Sequence, residues 1–357
     1  MSYPKSLQEL YLTRLREFYR QPARMFWVYG FPTILAIGLG VAFKSRGPEV
    51  VHVVVVDSPA ASQVVTALHG DDAQHGSASR PGVRIELLSH DQAFLKVKTG
   101  KTPLVVEPET SGAVIYHYDQ TRPEGIAARA AVDDALQRAS GRQDAVITRD
   151  DVVTEHGSRY IDFLIPGLIG LNTMGGGLWG VGFLLVNFRI AKLLKRFMAT
   201  PMPREHFLMA ILLARLTFLI PDAGVLLIMG VWMFGMPIRG SLLLVALILI
   251  VGALAFAGIG LLIASRAKTT ETVSGLMNLV MLPMWLFSGV FFSSDHFPAS
   301  FQPFIQALPL TQLVDGLRLI ILEGAGLGNT LILRALVILA VWAVATFYLA
   351  LRLFRWT

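Results

Sequence analysis

The chain contains no cysteine, so disulfides, thiolate metal sites and thiol catalysis are excluded, while the redox compartment stays open. Charge is scarce as well. Only 16% of the 357 residues are Asp, Glu, Lys or Arg, against roughly a quarter in ordinary soluble domains. A complete phosphate-binding loop is missing. Gly100-Lys101-Thr102 ends like one, but Leu95 stands where the first glycine is needed. His52, His69, His75, His90, His117 and His156 are scattered without metal-ligand spacing. Neither a Ser–His–Asp order nor a Gly-x-Ser-x-Gly elbow stands out. No catalytic residue, resident cofactor or metal is therefore assigned to this chain.

What is abundant is apolar. Hydrophobic residues make up 54% of the chain and mean hydropathy is +0.56. Several runs approach the ~20 residues that cross a hydrocarbon core. Spans are predicted at about 26–43, 161–188, 207–234, 241–264, 273–292 and 331–351. The fold class is a polytopic α-helical membrane protein of six transmembrane helices. Residues 1–25 form a basic amphipathic helix with Leu7, Leu10, Tyr11, Leu15 and Phe18 at helical spacing. A cleaved signal peptide competes with an anchor here. The leader is long for one, and no small-x-small site follows the first apolar run, which favours the anchor.

Residues 44–158 differ from the rest. Strands are expected at 49–56, 83–88, 102–106 and 113–118. Helices are expected at about 60–68, 92–98 and 123–139. This alternation predicts an inserted α/β domain. The region 159–357 carries the remaining five spans and a mixed, proline-broken segment at about 293–329.

The net charge of +6 and pI of about 9.6 raise the question of nucleic acid. The basic residues flank apolar runs, which fits membrane orientation instead, and no nucleic-acid partner is assigned. The most basic short loop, 189–206, joins the second and third spans and is assigned to the cytoplasm. Alternation then places both termini there and puts 44–158 and 293–329 outside.

Three features within the spans invite a functional reading. Gly175-x-Gly177-x-x-Gly180 has dinucleotide-fingerprint letters, but no strand precedes it. Gly176 and Gly180 read better as a small-xxx-small helix-packing pair. Arg215 and Asp222 share a face of the third span about 10 Å apart, too far for a direct pair on a straight helix. They suit a translocation path or the bundle interior. Partners on another helix, or Arg215 snorkelling, are the structural alternatives. Asp162 is assigned to the interface. The loop helix at 189–204 serves either as an anchor on anionic membrane lipid or as a docking helix for a cytoplasmic partner.

Leu193-Leu-Lys-Arg-Phe-Met-Ala-Thr-Pro-Met-Pro-Arg-Glu205 resembles the coupling segment of type-2 ABC transporter permeases. Leu282-Pro-Met-Trp-Leu-Phe-Ser-Gly-Val-Phe-Phe292, Phe297-Pro298, Leu308-Pro-Leu-Thr311 and Val314-Asp-Gly-Leu-Arg318 resemble that family's carboxyl-terminal signature. The strand ending at Asp57 and Tyr118-Asp-Gln-Thr-Arg-Pro-Glu124 are similar to a large extracytoplasmic insert found in one branch.

The resemblance implies one permease half of an ABC exporter in the plasma (inner) membrane. Its partners would be an ATP-binding subunit, which carries ATP and Mg, and a second permease half, identical or homologous. Cargo would be a lipid, a hydrophobic drug or a polymer. Lys192, Leu193, Lys195, Arg196, Thr200, Pro201, Arg204 and Glu205 would couple to the ATPase. Asp315 and Arg318 would brace an outer re-entrant region. The alternative is a membrane receptor or scaffold whose outer domain binds a ligand or partner without transport.

Overall fold

The computed structural model describes residues 3–42, 51–74, 83–109, 112–142, 159–199 and 204–353. The chain divides into two compact units, Met1–Lys44 with Glu155–Thr357, and Ser45–Thr154. The first unit opens with α1 (Tyr3–Tyr19). After it, α2 (Pro22–Met25) runs through a π-helical turn, Phe26–Gly30, into α3 (Phe31–Ala42). Pro22 sits at the first helical position, where its missing N–H costs nothing.

The second unit contains β1 (Val51–Val56), α4 (Ala61–Gln74), β2 (Val83–Leu88), α5 (His90–Lys98), β3 (Leu104–Pro108), β4 (Val114–Tyr118) and α6 (Pro123–Ala139). The sheet order is β2-β1-β3-β4. β1 is parallel to both β2 and β3, and β3 is antiparallel to β4. The unbroken valine run of β1 reflects burial on both faces, because side chains alternate along a strand. Val53 and Val55 pack with Val64 and Leu68 of α4 and Val132 of α6. Val54 and Val56 pack with Ala93 of α5. Tyr116 Oη donates to Asp133 Oδ1 at 3.2 Å. Burial, reinforced by the Asp133 charge, pushes the Tyr116 phenol up to about 12.

The first unit resumes with α7 (Tyr160–Gly177), a π-helical segment Leu178–Phe183, and α8 (Leu184–Ile190). There follow α9 (Leu193–Met198), α10 (Arg204–Phe234), α11 (Leu242–Arg266) and α12 (Thr270–Phe287). A 3-10 turn, Ser294–His296, leads to α13 (Gln302–Ala307), α14 (Pro309–Ile321) and α15 (Thr330–Leu353). Among the described residues, four helices are long and apolar enough to cross a membrane: Tyr160–Ile190, His206–Phe234, Leu242–Arg266 and Thr330–Leu353. Phe26–Val41 is apolar but shorter.

α11 occupies the centre of this unit. Its Phe256 is fully buried, and α7, α14 and α15 pack around it. Two glycines permit that approach. A Cβ on Gly182 would lie 2.5 Å from the Gly260 carbonyl oxygen, and one on Gly260 would lie 2.8 Å from that of Gly177. The outer faces are apolar, with Trp232 90% and Leu243 85% exposed, as a hydrocarbon solvent requires.

The predicted fifth span reaches 292, whereas α12 stops at Phe287 because Gly289 adopts φ 70°, the left-handed conformation that commonly terminates a helix. Beyond it, α14 has 13 residues and is about 20 Å long, too short to cross a core of ~30 Å.

Candidate functional site

The helices of the first unit frame a partly open cavity of about 480 Å3. Its walls come from α1, the π turn of the first apolar helix, the Gly-rich middle of the second and the first half of α10. α1 is held against α10 by Tyr11 Oη, 2.9 Å from Thr217 Oγ1, and by Phe18, whose ring centroid lies 4.2 Å from that of Phe218.

Arg215 and Asp222 line this cavity. They form a direct ion pair, Nη1 to Oδ2 at 2.6 Å, with 7% and 2% of each residue exposed. This corrects the expectation that seven residues of separation forbids contact. The two positions lie on nearly the same face, and the extended arginine stem bridges the remaining rise. Arg215 Nη2 also donates to the Thr173 carbonyl at 3.4 Å. Tyr29 is half-buried, and its phenol oxygen, itself buried, lies beside Asp222. Arg215 Nε and Asp222 Oδ1 keep unused hydrogen-bonding capacity.

Gly176 has a different role from the one expected of it. The Arg215 guanidinium occupies the space that a Cβ there would need. Gly180 faces the cavity, and an added Cβ would meet only Arg215 Cδ, at 3.9 Å. Close backbone packing belongs to their neighbours Gly177 and Gly182 instead.

Asp162 stands in the first turn of α7. It is completely buried and receives a bidentate pair from Arg159, at 2.9 and 3.0 Å.

The basic loop begins with an abrupt turn. α8 ends as Lys192 takes φ 55°, an uncommon conformation for a residue other than glycine. α9 then starts at Leu193. Leu194 is buried while Lys192, Lys195 and Arg196 are exposed. One turn earlier, Arg189 Nη1 donates to the carbonyls of Ala264 and Ala267, at 2.7 and 2.6 Å. A cation thus satisfies acceptors at the carboxyl end of α11 and ties the basic turn to the central helix. Sequence reasoning counted Arg189 only as loop charge. Of the remaining loop residues, Leu193 packs against the core. Thr200 and Pro201 lie outside the described residues, as do the side chains of Arg204 and Glu205, whose backbone opens α10.

Arg318 is the fastening of α14. It donates to the Gly289 carbonyl at 2.6 Å and to the Phe163 carbonyl at 3.1 and 3.3 Å. Its guanidinium lies 3.4 Å from the Phe163 ring centroid. Asp315 is a looser neighbour at 3.7 Å. The Asp315–Arg318 pair expected from i, i+3 spacing is present, but the stronger links run to α7 and to the turn after α12.

The pattern of transmembrane helices, a basic turn anchored on the central helix and a short buried helix after Gly289 coincides with a family match. Residues 23–352 match the model of the ABC-2 family transporter proteins. The chain belongs to the ABC-2 transporter family. It is a multi-pass membrane protein and a type-2 ABC permease.

Its relatives include ABC transporter G family member 20 of Dictyostelium discoideum, 28% identical over 195 residues. That alignment covers 54% of this chain and 26% of the relative. Inner membrane transport permease YadH of Escherichia coli strain K12 is 26% identical over 167 residues, covering 46% of this chain and 63% of YadH. Nodulation protein J of Bradyrhizobium diazoefficiens is 34% identical over 102 residues, covering 29% of this chain and 38% of that protein. The chain therefore spans less than two thirds of the length of each of these relatives.

Proposed function

We propose that this ABC-2 permease is the membrane half of an ATP-driven exporter. It works with a second permease half, identical or homologous, and with a separate ATP-binding subunit that carries ATP and Mg. Its cargo is a lipid, a hydrophobic drug or a polymer, taken from the cytoplasm or the inner leaflet. Both termini face the cytoplasm of a plasma (inner) membrane, and 44–158 lies on the outer side.

The observation that best supports this reading is the basic turn. Lys192, Lys195 and Arg196 are exposed on a short helix whose base is fixed by Arg189 to the end of α11. A push on such a helix is transmitted to the centre of the bundle through hydrogen bonds rather than lost in a slack loop. A nucleotide-dependent partner that favours one arrangement of this turn would bias a two-state bundle, which is what driven transport requires.

The test is copurification. The tagged chain is isolated in mild detergent, bound proteins are identified, and vanadate-sensitive ATP hydrolysis is assayed. The expected result is an ATPase subunit with that activity. A preparation that repeatedly lacks an ATPase, in good yield and in more than one detergent, overturns the exporter reading.

A further inference from the structure

We infer that the cavity walled by α1, the first apolar helix, α7 and α10 is a binding site within a single chain for a net-neutral amphiphile from the bilayer, one whose head both donates and accepts hydrogen bonds. This goes beyond the exporter reading, since it requires neither the ATPase nor a second permease half.

Volume is the first argument. At about 480 Å3 the cavity falls within the range of roughly 300–1,000 Å3 typical of small-molecule sites. Trp27, Trp179, Phe183 and Phe218 supply aromatic walls. The end of α7 and the π-helical segment after it leave the space unfilled. A Cβ on Gly175 would meet nothing within 4 Å, and one on Gly180 would only just touch Arg215. A wall of this kind accepts an apolar chain without displacing protein atoms.

Charge is the second. Among the described residues, the ionisable side chains lining the cavity are Arg14, Glu17, Arg215 and Asp222, two of each sign. Arg215 pairs with Asp222 at 2.6 Å and Arg14 with Glu17 at 2.5 Å. A head with net charge would enter a low-dielectric site that holds no compensating charge, whereas a neutral head avoids that penalty.

Hydrogen bonding is the third. Asp222, 2% exposed, keeps Oδ1 unused, and Arg215 keeps its Nε donor. Both residues form part of the cavity wall. Tyr29 Oη, buried beside Asp222, adds a third polar atom to this group. An unsatisfied buried polar group is costly. A head carrying one donor and one acceptor, such as a hydroxyl, matches both kinds of group, which lie buried at the wall and are reached by side-chain movement.

The test uses the full chain in phosphatidylcholine nanodiscs and three photoreactive probes that share one diazirine-bearing alkyl tail. Their heads are a monoacylglycerol, a sulfate and a trimethylammonium. Cross-linked peptides are mapped by mass spectrometry. The monoacylglycerol probe is expected to label peptides containing Trp27, Trp179 and Phe218. Its labelling should exceed that of either charged probe by about ten-fold, the factor corresponding to a penalty of ~1.4 kcal/mol.

Gly175→Leu fills the cavity from a position where an added Cβ meets nothing within 4 Å, and Gly180→Leu fills it beside the Arg215 stem. Either variant, if it keeps the elution profile and unfolding temperature of the parent, should reduce that labelling. Equal labelling by all three probes, or no labelling of these peptides, overturns the proposal on the parent chain alone. Undiminished labelling in a folded leucine variant overturns it independently.

Discussion

Arg215 closes on Asp222 across two turns of a single helix, and the pair is sealed between α10 and the glycines of α7. The space is supplied by Gly176, which leaves its Cβ position to the guanidinium. An ion pair so deeply buried is weak support for net stability, but breaking it is costly. Removing one partner of such a pair typically costs ~3–5 kcal/mol. Asp222→Ala should therefore lower the unfolding temperature markedly. Arg215→Met with Asp222→Leu should recover most of the loss, because no lone charge remains. Thermal unfolding in one detergent distinguishes these outcomes, and equal destabilisation by both would contradict the account.

The basic turn makes a separable prediction. Charge reversal of Lys192, Lys195 and Arg196 should leave folding intact, since all three are exposed, and should uncouple ATP hydrolysis from transport in the assembled complex. Arg189→Ala should impair transport in a different way, by freeing the turn from α11. Parallel assays of hydrolysis and cargo movement test both, and normal coupling in the reversed variant would refute the assignment.

Arg318 should tolerate no substitution that loses its planar fork. It serves two carbonyls and an aromatic face at once, which a lysine ammonium cannot reproduce. Arg318→Lys and Arg318→Gln should each destabilise the protein by ~1–3 kcal/mol, from carbonyls left without donors. Asp315→Asn should be milder, given its 3.7 Å separation. A ranking in which Asp315→Asn is the more harmful would reverse this reading.

Tyr116 predicts a pH dependence in the second unit. Its phenol ionises near 10.0 when exposed and is raised to about 12 in the folded state, chiefly by burial. The folded state thus holds this proton more tightly than the unfolded state does. The associated stability is complete below pH 10 and is lost as pH rises toward 12. Tyr116→Phe should flatten that part of the stability profile. Chemical unfolding of parent and variant between pH 9 and 11.5 measures it, and parallel profiles would exclude Tyr116 as the source.

The amino-acid sequence by itself determined the long apolar helices, the valine strand β1 and the pairing of β-strand candidates with turn residues. These follow from local composition and from periods of 2 and 3.6 residues. The motifs around 193–205 and 282–318 sufficed for the family as well.

Tertiary structure alone decided the rest. That Arg215 contacts Asp222 depends on side-chain reach and on an empty place at Gly176, neither visible in spacing. That Arg189 belongs to the end of α11 depends on two residues 75 and 78 positions away. That Asp162 is buried and paired with Arg159 depends likewise on packing that spacing does not show. The cavity is the extreme case: its walls come from helices far apart in the chain, and packing, not sequence order, leaves the space between them.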